Sequence, residues 1–220
     1  MKVSERIRLA IENDIRSGNL LPGDPIDEQK IAADYQVSRT PVREAILQLK
    51  VQGILESQPR GGAIVARMDV QQLLAIWELM AEMEGVCARM ACERMTQAER
   101  EALARLHRET GSIAEIDDAQ AWSKANQTFH EMLYQGCRNP YLRQELLRLR
   151  ARTGAYLQYS FSAVGRVRSS HEQHDELVQA ILGNDPERAH RMMMRHVSLA
   201  QGAKSLSDFL INLPKSMVRV

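Results

Sequence analysis

Two groups of residues have the types and spacings that chemistry needs. The first is the run Ser38-Arg39-Thr40-Pro41-Val42-Arg43-Glu44-Ala45-Ile46-Leu47-Gln48-Leu49. Arg39 and Arg43 lie one helical turn apart and share a face, while Val42, Ala45, Ile46 and Leu49 make the apolar face of the same helix. Such a helix packs on a core and turns its guanidinium groups outward, as a helix laid into DNA does. Ser38 suits the N-cap, where its hydroxyl can accept from a first-turn N–H, and Pro41 is tolerated because those N–H groups have no intrahelical partner. The second group is His130, His174 and His196, each on the apolar side of a different predicted helix. Leu133 and Cys137 flank the first, Leu177, Val178 and Ile181 the second, and Met192, Met193, Leu199 and Ala200 the third. Three inward imidazoles are costly unless paired. Asn126, one turn before His130, can add an oxygen ligand, and a set of three nitrogens and one oxygen suits zinc, nickel or another first-row divalent ion. His107 and His190 have no comparable placement, and His171 shares a face with His174 as a minor alternative ligand.

The elements that must hold these groups follow from periodicity and punctuation. Ile7, Leu9, Ala10, Ile11 and Ile15 predict a helix over 5–17, stopped by Gly18 and the turn at Leu21-Pro22-Gly23. Asp27 caps a short helix through Ile31, Ala32 and Tyr35. A tight Gln36-Val37 link then leads into the arginine-bearing helix, the spacing of a helix-turn-helix. Gly53 ends that helix. Residues 54–57 and 63–66 are short β-prone runs joined through Gln58-Pro59-Arg60-Gly61-Gly62, a hairpin with a glycine-rich tip. Three helices plus a hairpin make a winged helix.

From Asp69 on, strand signals vanish and only helical patterns remain. Leu73, Trp77, Met80, Glu84, Ala88 and Ala91 lie on one face of the first of them. Thr96 with Glu99 makes a capping box, and Asp117 or Asp118 caps the helix that runs to Cys137. Long helices follow over about 140–159 and 168–182, the latter stopped by Gly183, and Asp185-Pro186 opens another. Leu206 to Leu213 is a short apolar tail. The fold expected is mainly α, with a winged helix-turn-helix over 1–68 and an all-α bundle of six or seven helices over 69–220.

Composition limits the partners. The 220 residues carry 29 Lys and Arg against 28 Asp and Glu, and residues 1–66 alone hold nine of each sign, so bulk charge gives no case for nucleic acid. Any such case rests on placement. Three cysteines, Cys87, Cys92 and Cys137, form no C-x-x-C motif and sit within helical patterns, which fits small buried apolar residues in a reducing cytoplasm. No apolar run is long enough to span a membrane.

With these elements in place, the first 66 residues resemble the GntR family of bacterial transcription regulators, through Leu21-Pro22-Gly23, Glu28, Ser38 to Ala45, Gly53 and Pro59-Arg60-Gly61. The rest of the chain is similar to the FadR-type helical effector domain, often called FCD, through Glu78-Leu79, Glu84, Asn126 to His130, Gln173-His174 and His196. The resemblance implies that Ser38, Arg39, Thr40 and Arg43 reach the major groove and nearby phosphates, with Arg39 or Arg43 forking onto guanine. It implies that Arg60, Gly61 and Gly62 lie along the minor groove or backbone, and that Gln29 and Lys30 touch phosphate. Asn126, His130, His174 and His196 then hold the metal, zinc first, although the position of Asn126 is more often aspartate in that pattern. Met80 stands where many relatives place an arginine, one turn before Glu84, that grips an effector carboxylate. The effector expected is therefore less acidic, or held directly by the metal, with Met80, Glu84, Lys124, Arg152 and Tyr156 as candidate pocket residues.

The function expected is a homodimeric cytoplasmic regulator, a repressor, that binds a palindromic double-stranded operator and answers to a small-molecule effector. In one alternative the ion itself is the signal. In another, three histidines with an open position activate water as a hydrolase, but no positioned Glu or Asp stands out as a base and an enzyme leaves the arginine-bearing helix unexplained.

Overall fold

The computed structural model describes residues 1–59, 61–160, 165–198 and 213–219. They form two compact units. The first comprises Met1–Val70, Arg150–Tyr156 and Pro214–Val220; the second comprises Gln71–Leu149 and Leu157–Leu213.

In the first unit, α1 (Val3–Arg16) buries Ile7, Ile11 and Ile15 at a spacing of four, with Ser4 ahead of them. The helix α2 (Glu28–Asp34) starts where Asp27 Oδ1 accepts from the backbone N–H groups of Gln29 at 2.9 Å and Lys30 at 3.0 Å. Gln36 takes a left-handed conformation, φ 53°, in the tight link to α3 (Arg39–Val51). Val42, Ala45, Ile46 and Leu49 of α3 are buried, as their spacing predicts. Gly53, at φ +70°, then turns the chain out of the helix in a conformation that side chains resist. The wing is an antiparallel pair, β1 (Leu55–Ser57) and β2 (Ala63–Val65), in register Leu55↔Val65, Glu56↔Ile64 and Ser57↔Ala63. Its two strands bury Leu55, Ala63 and Val65, and β1 packs against α3.

Tyr156 belongs to this first unit. Its hydroxyl accepts from the Met68 backbone N–H at 3.1 Å and donates to the Met217 carbonyl at 3.0 Å, so it is already satisfied by structural partners. This corrects its expected place in an effector pocket. Arg152 is corrected likewise, because its guanidinium lies against Gly53 in the same unit. Replacing Tyr156 by phenylalanine leaves a buried N–H and a carbonyl without that partner. The expected result is a loss of about 1–3 kcal/mol, read as a lower urea midpoint; an unchanged midpoint would show the hydroxyl to be idle.

The second unit is helical throughout its described residues. It contains α4 (Val70–Arg94), α5 (Gln97–Glu109), α6 (Gly111–Glu115), α7 (Ala119–Gly136), α8 (Pro140–Ser160, shared with the first unit), α9 (Arg166–Leu182) and α10 (Pro186–Val197). Caps set their starts. Thr96 and Glu99 form a reciprocal capping box at α5, Asp118 rather than Asp117 caps α7, and Asp185 caps α10 ahead of Pro186. The helix α9 packs against α5 and α10, and α5 packs against α7, so that α7, α9 and α10 can share an interior. All three cysteines are buried and unbridged. The predicted tail from Leu206 lies outside the described residues apart from Leu213, which is buried.

Candidate functional site

The outward face of α3 carries Arg39, Thr40, Arg43, Glu44, Leu47 and Gln48, all exposed, with Ser38 exposed ahead of it. Ser38 holds the N-cap position in extended conformation, but its side chain makes no capping hydrogen bond. The expectation that its hydroxyl caps the helix is thus corrected. The hydroxyl and the first-turn N–H groups both remain available to an anion. Arg43 Nε donates to Glu28 Oε2 at 3.1 Å, with the Arg43 side chain 65% exposed. That bond links α2 to α3 and orients the guanidinium instead of leaving it loose. Gln29 and Lys30 are exposed in the first turn of α2. At the wing tip Gly61 and Gly62 adopt φ of +92° and +93°, and a Cβ on either would meet nothing within 4 Å. The tip therefore offers bare backbone for close approach. Arg60 lies outside the described residues.

In the second unit the three histidines come together. His130 from α7, His174 from α9 and His196 from α10 present ligand atoms within 4.8 Å of one another. His196 Nε2 lies 3.1 Å from His174 Nε2 and 3.3 Å from His130 Nε2. The far nitrogens of His130 and His196 meet oxygen atoms. His130 Nδ1 is 2.6 Å from the carboxylate of Glu84, which is wholly buried and also accepts from the Tyr134 hydroxyl at 2.8 Å. His196 Nδ1 lies 2.9 Å from Gln173 Oε1. A neutral imidazole whose Nδ1 proton is held by such an oxygen offers its Nε2 as a lone pair, the form that ligates a metal ion. Ring nitrogens 3.3 Å apart either share a proton or hold a cation between them. His174 is stacked on Phe129, with ring centroids 3.9 Å apart, and burial, followed by the neighbouring imidazoles, holds it well below the usual histidine range. It is neutral at pH 7, the form that binds metal. Asn126 is buried, and its Oδ1 has no hydrogen-bond partner among the described residues.

Glu84 is thus a carboxylate behind a histidine rather than a pocket residue, the arrangement that orients metal-binding imidazoles. Spacing placed it on the inward face of α4 but could not show which residue it met. Met80 is buried in the core, and Lys124 is exposed on the outer side of α7, away from Asn126 and His130. The expectation that Lys124 lines a pocket is corrected on that ground. His107 proves more than an incidental histidine. It is buried, stacks on His171 at 4.1 Å and places Nε2 3.3 Å from Asp175 Oδ1. Burial and the adjacent His171 lower its proton affinity. His171 Nε2 contacts the His107 carbonyl at 3.2 Å and so turns away from a ligand role.

A DNA-ready helix and wing in one unit and a buried imidazole cluster in the other agree with the family comparisons. The model for bacterial regulatory proteins of the gntR family matches residues 3–65, and that for the FCD domain matches residues 75–199. The chain belongs to the GntR family. It carries a GntR DNA-binding domain followed by an FCD domain, and it is a transcriptional regulator, not an enzyme. The HTH-type transcriptional repressor GlaR of Escherichia coli strain K12 is 30% identical over 197 residues, 85% of this chain and 89% of that one. The HTH-type transcriptional regulator LutR of Bacillus subtilis strain 168 is 29% identical over 208 residues, 84% of this chain and 93% of that one. Among solved structures, E. coli McbR/YncC superposes with a TM-score of 0.83 at 22% identity, covering 96% of this chain and 98% of that one, a likeness of fold. No described helix of this GntR regulator is long and apolar enough to cross a membrane.

Proposed function

We propose that the chain is an effector-controlled repressor that binds a two-fold operator as a homodimer and holds a divalent metal ion, zinc first, in its FCD domain. The observation that carries the metal reading is the convergence of the Nε2 atoms of His130, His174 and His196 from three helices, with Glu84 and Gln173 against the far nitrogens of His130 and His196. An ion with metal–nitrogen bonds of about 2.0–2.1 Å in tetrahedral array has nitrogens about 3.3 Å apart; His196 lies 3.1 and 3.3 Å from His174 and His130, and all three ligand atoms lie within 4.8 Å of one another. Asn126 Oδ1, buried without a hydrogen-bond partner among the described residues one turn before His130, would supply a fourth donor. The ion would act as an electrophilic anchor for an oxygen-bearing ligand.

The metabolite reading is supported by further buried polar atoms. Trp122 Nε1, Ser170 Oγ and His107 Nδ1, like Asn126 Oδ1, are buried with no hydrogen-bond partner among the described residues. Buried polar atoms are ordinarily satisfied, so these leave donors and acceptors for a small polar guest. Met80 is buried and apolar and so offers no cationic grip, which favours a ligand bound through its oxygens to the ion. Repression is supported by the name of the relative GlaR. Control of DNA binding requires the effector to bind the DNA-competent and DNA-incompetent arrangements with different affinity.

The test is a zinc titration of protein first stripped with a chelator. Its unfolding midpoint should rise with zinc concentration, by the equivalent of about 2.7 kcal/mol at a hundredfold excess over the dissociation constant. A midpoint indifferent to zinc, nickel and manganese would overturn the metal reading.

A further inference from the structure

The outward face of α3 has an order that charge alone does not explain. At about 100° per residue, Thr40, Glu44, Leu47 and Val51 fall within about 30° of the direction opposite the buried Val42, Ala45, Ile46 and Leu49. Arg43 lies about 70° to one side, where it bonds Glu28 of α2. A helix seated in the major groove brings its centre line nearest the floor. Side chains on that line reach base edges with short arms, and those on the flank need long ones. Thr40 and Arg43 obey this as polar groups, but Leu47 stands on the centre line and is apolar, with 63% of its surface exposed. Single exposed apolar residues are ordinary elsewhere on a protein. Leu47 differs in its place, one turn beyond Arg43 in the segment matched to the gntR family. Val51 is also exposed, but it ends α3 a further turn from the N-terminal part that reads bases.

The base edges in the major groove offer one apolar group, the C5-methyl of thymine. Against any other base Leu47 would cover donors and acceptors without pairing them, which costs free energy. We propose that Leu47 is a specificity-determining residue that reads a thymine methyl in the operator. The rise from Arg43 to Leu47 is about 6 Å and base pairs stack about 3.4 Å apart, so that thymine lies within about two base pairs of the guanine on which Arg43 forks. This inference rests on the reading of α3 as the helix that enters the groove, and it adds a base that neither arginine specifies.

The test uses the full chain and a duplex selected from a random library with the parent protein. Deoxyuridine, which lacks only the methyl, replaces the thymines one at a time, and binding is followed by gel-shift titration. The parent should lose about fourfold in affinity at a thymine close to a guanine, the worth of one buried methyl. Leu47→Ala should bind the thymine and deoxyuridine duplexes equally, and its unfolding midpoint should match the parent's, because the side chain it shortens is largely exposed. A parent indifferent to the methyl at every thymine overturns the proposal. The same fourfold penalty in Leu47→Ala also overturns it, since another residue then reads the methyl. Operator affinity equal to the parent's in both Leu47→Ala and Arg43→Ala overturns α3 as the reading helix itself.

Discussion

Arg43→Ala is expected to abolish specific operator binding while leaving the fold intact. A guanidinium forked onto guanine discriminates by about 1–3 kcal/mol, and a two-fold dimer would lose that contact twice, so affinity should fall by about thirtyfold to twenty-thousandfold. The structural cost is small. The Arg43 side chain is 65% exposed, and its ion pair with Glu28 is a surface pair worth at most about 1 kcal/mol, less after solvent screening. Gel-shift titration against a duplex selected from a random library with the parent protein measures the first effect, and thermal unfolding the second. Arg43→Lys separates the two things that arginine supplies. It keeps the charge but not the planar fork, so it should retain weak sequence-independent binding and lose discrimination. Equal operator affinity in parent and alanine variant would remove Arg43 from the reading surface.

Much of this was legible in the sequence, because its signals were local. The apolar spacing of α3, the Asp27 and Asp118 caps, the Thr96–Glu99 box and the glycine-tipped wing each depend on residues within a few positions of one another, and the structure reproduces them with ends shifted by a residue or two. The histidine cluster was legible for a different reason. Apolar neighbours at helical spacing mark which side of a helix faces inward, so three imidazoles on three inward faces converge once the helices bundle. What a fully buried side chain meets across the bundle leaves no such local mark. Glu84 showed its inward position but not its bond to His130, forty-six residues away. Tyr156 and Arg152 looked like residues of the helical domain because α8 is continuous in sequence. The chain folds that stretch of α8 into the first unit, beside Gly53, Met68 and Met217. Ser38 failed in a subtler way, since residue type identified the N-cap position but not whether its hydroxyl would be used.

His174→Ala and Glu84→Gln together should decide whether the imidazole cluster holds an ion. His174 is buried and stacked on Phe129, so its removal takes away one nitrogen donor and leaves a cavity; the expected loss of bound zinc in elemental analysis comes with a stability cost of a few kcal/mol. Loss of metal in that variant alone could therefore follow from loosened packing. Glu84→Gln avoids this, because glutamine keeps the volume and can still accept from His130 Nδ1. What it loses is the negative charge that makes the imidazole a stronger donor. Such carboxylates behind a metal-binding histidine contribute about ten- to a hundredfold in metal affinity, so competition with a chromophoric chelator should register a fall of that size with helix content unchanged. If the carboxylate serves only to satisfy Tyr134 and His130, the substitution changes stability but leaves zinc affinity where it was. Zinc content equal to the parent's in both variants would mean that the opposed nitrogens share a proton instead of a metal.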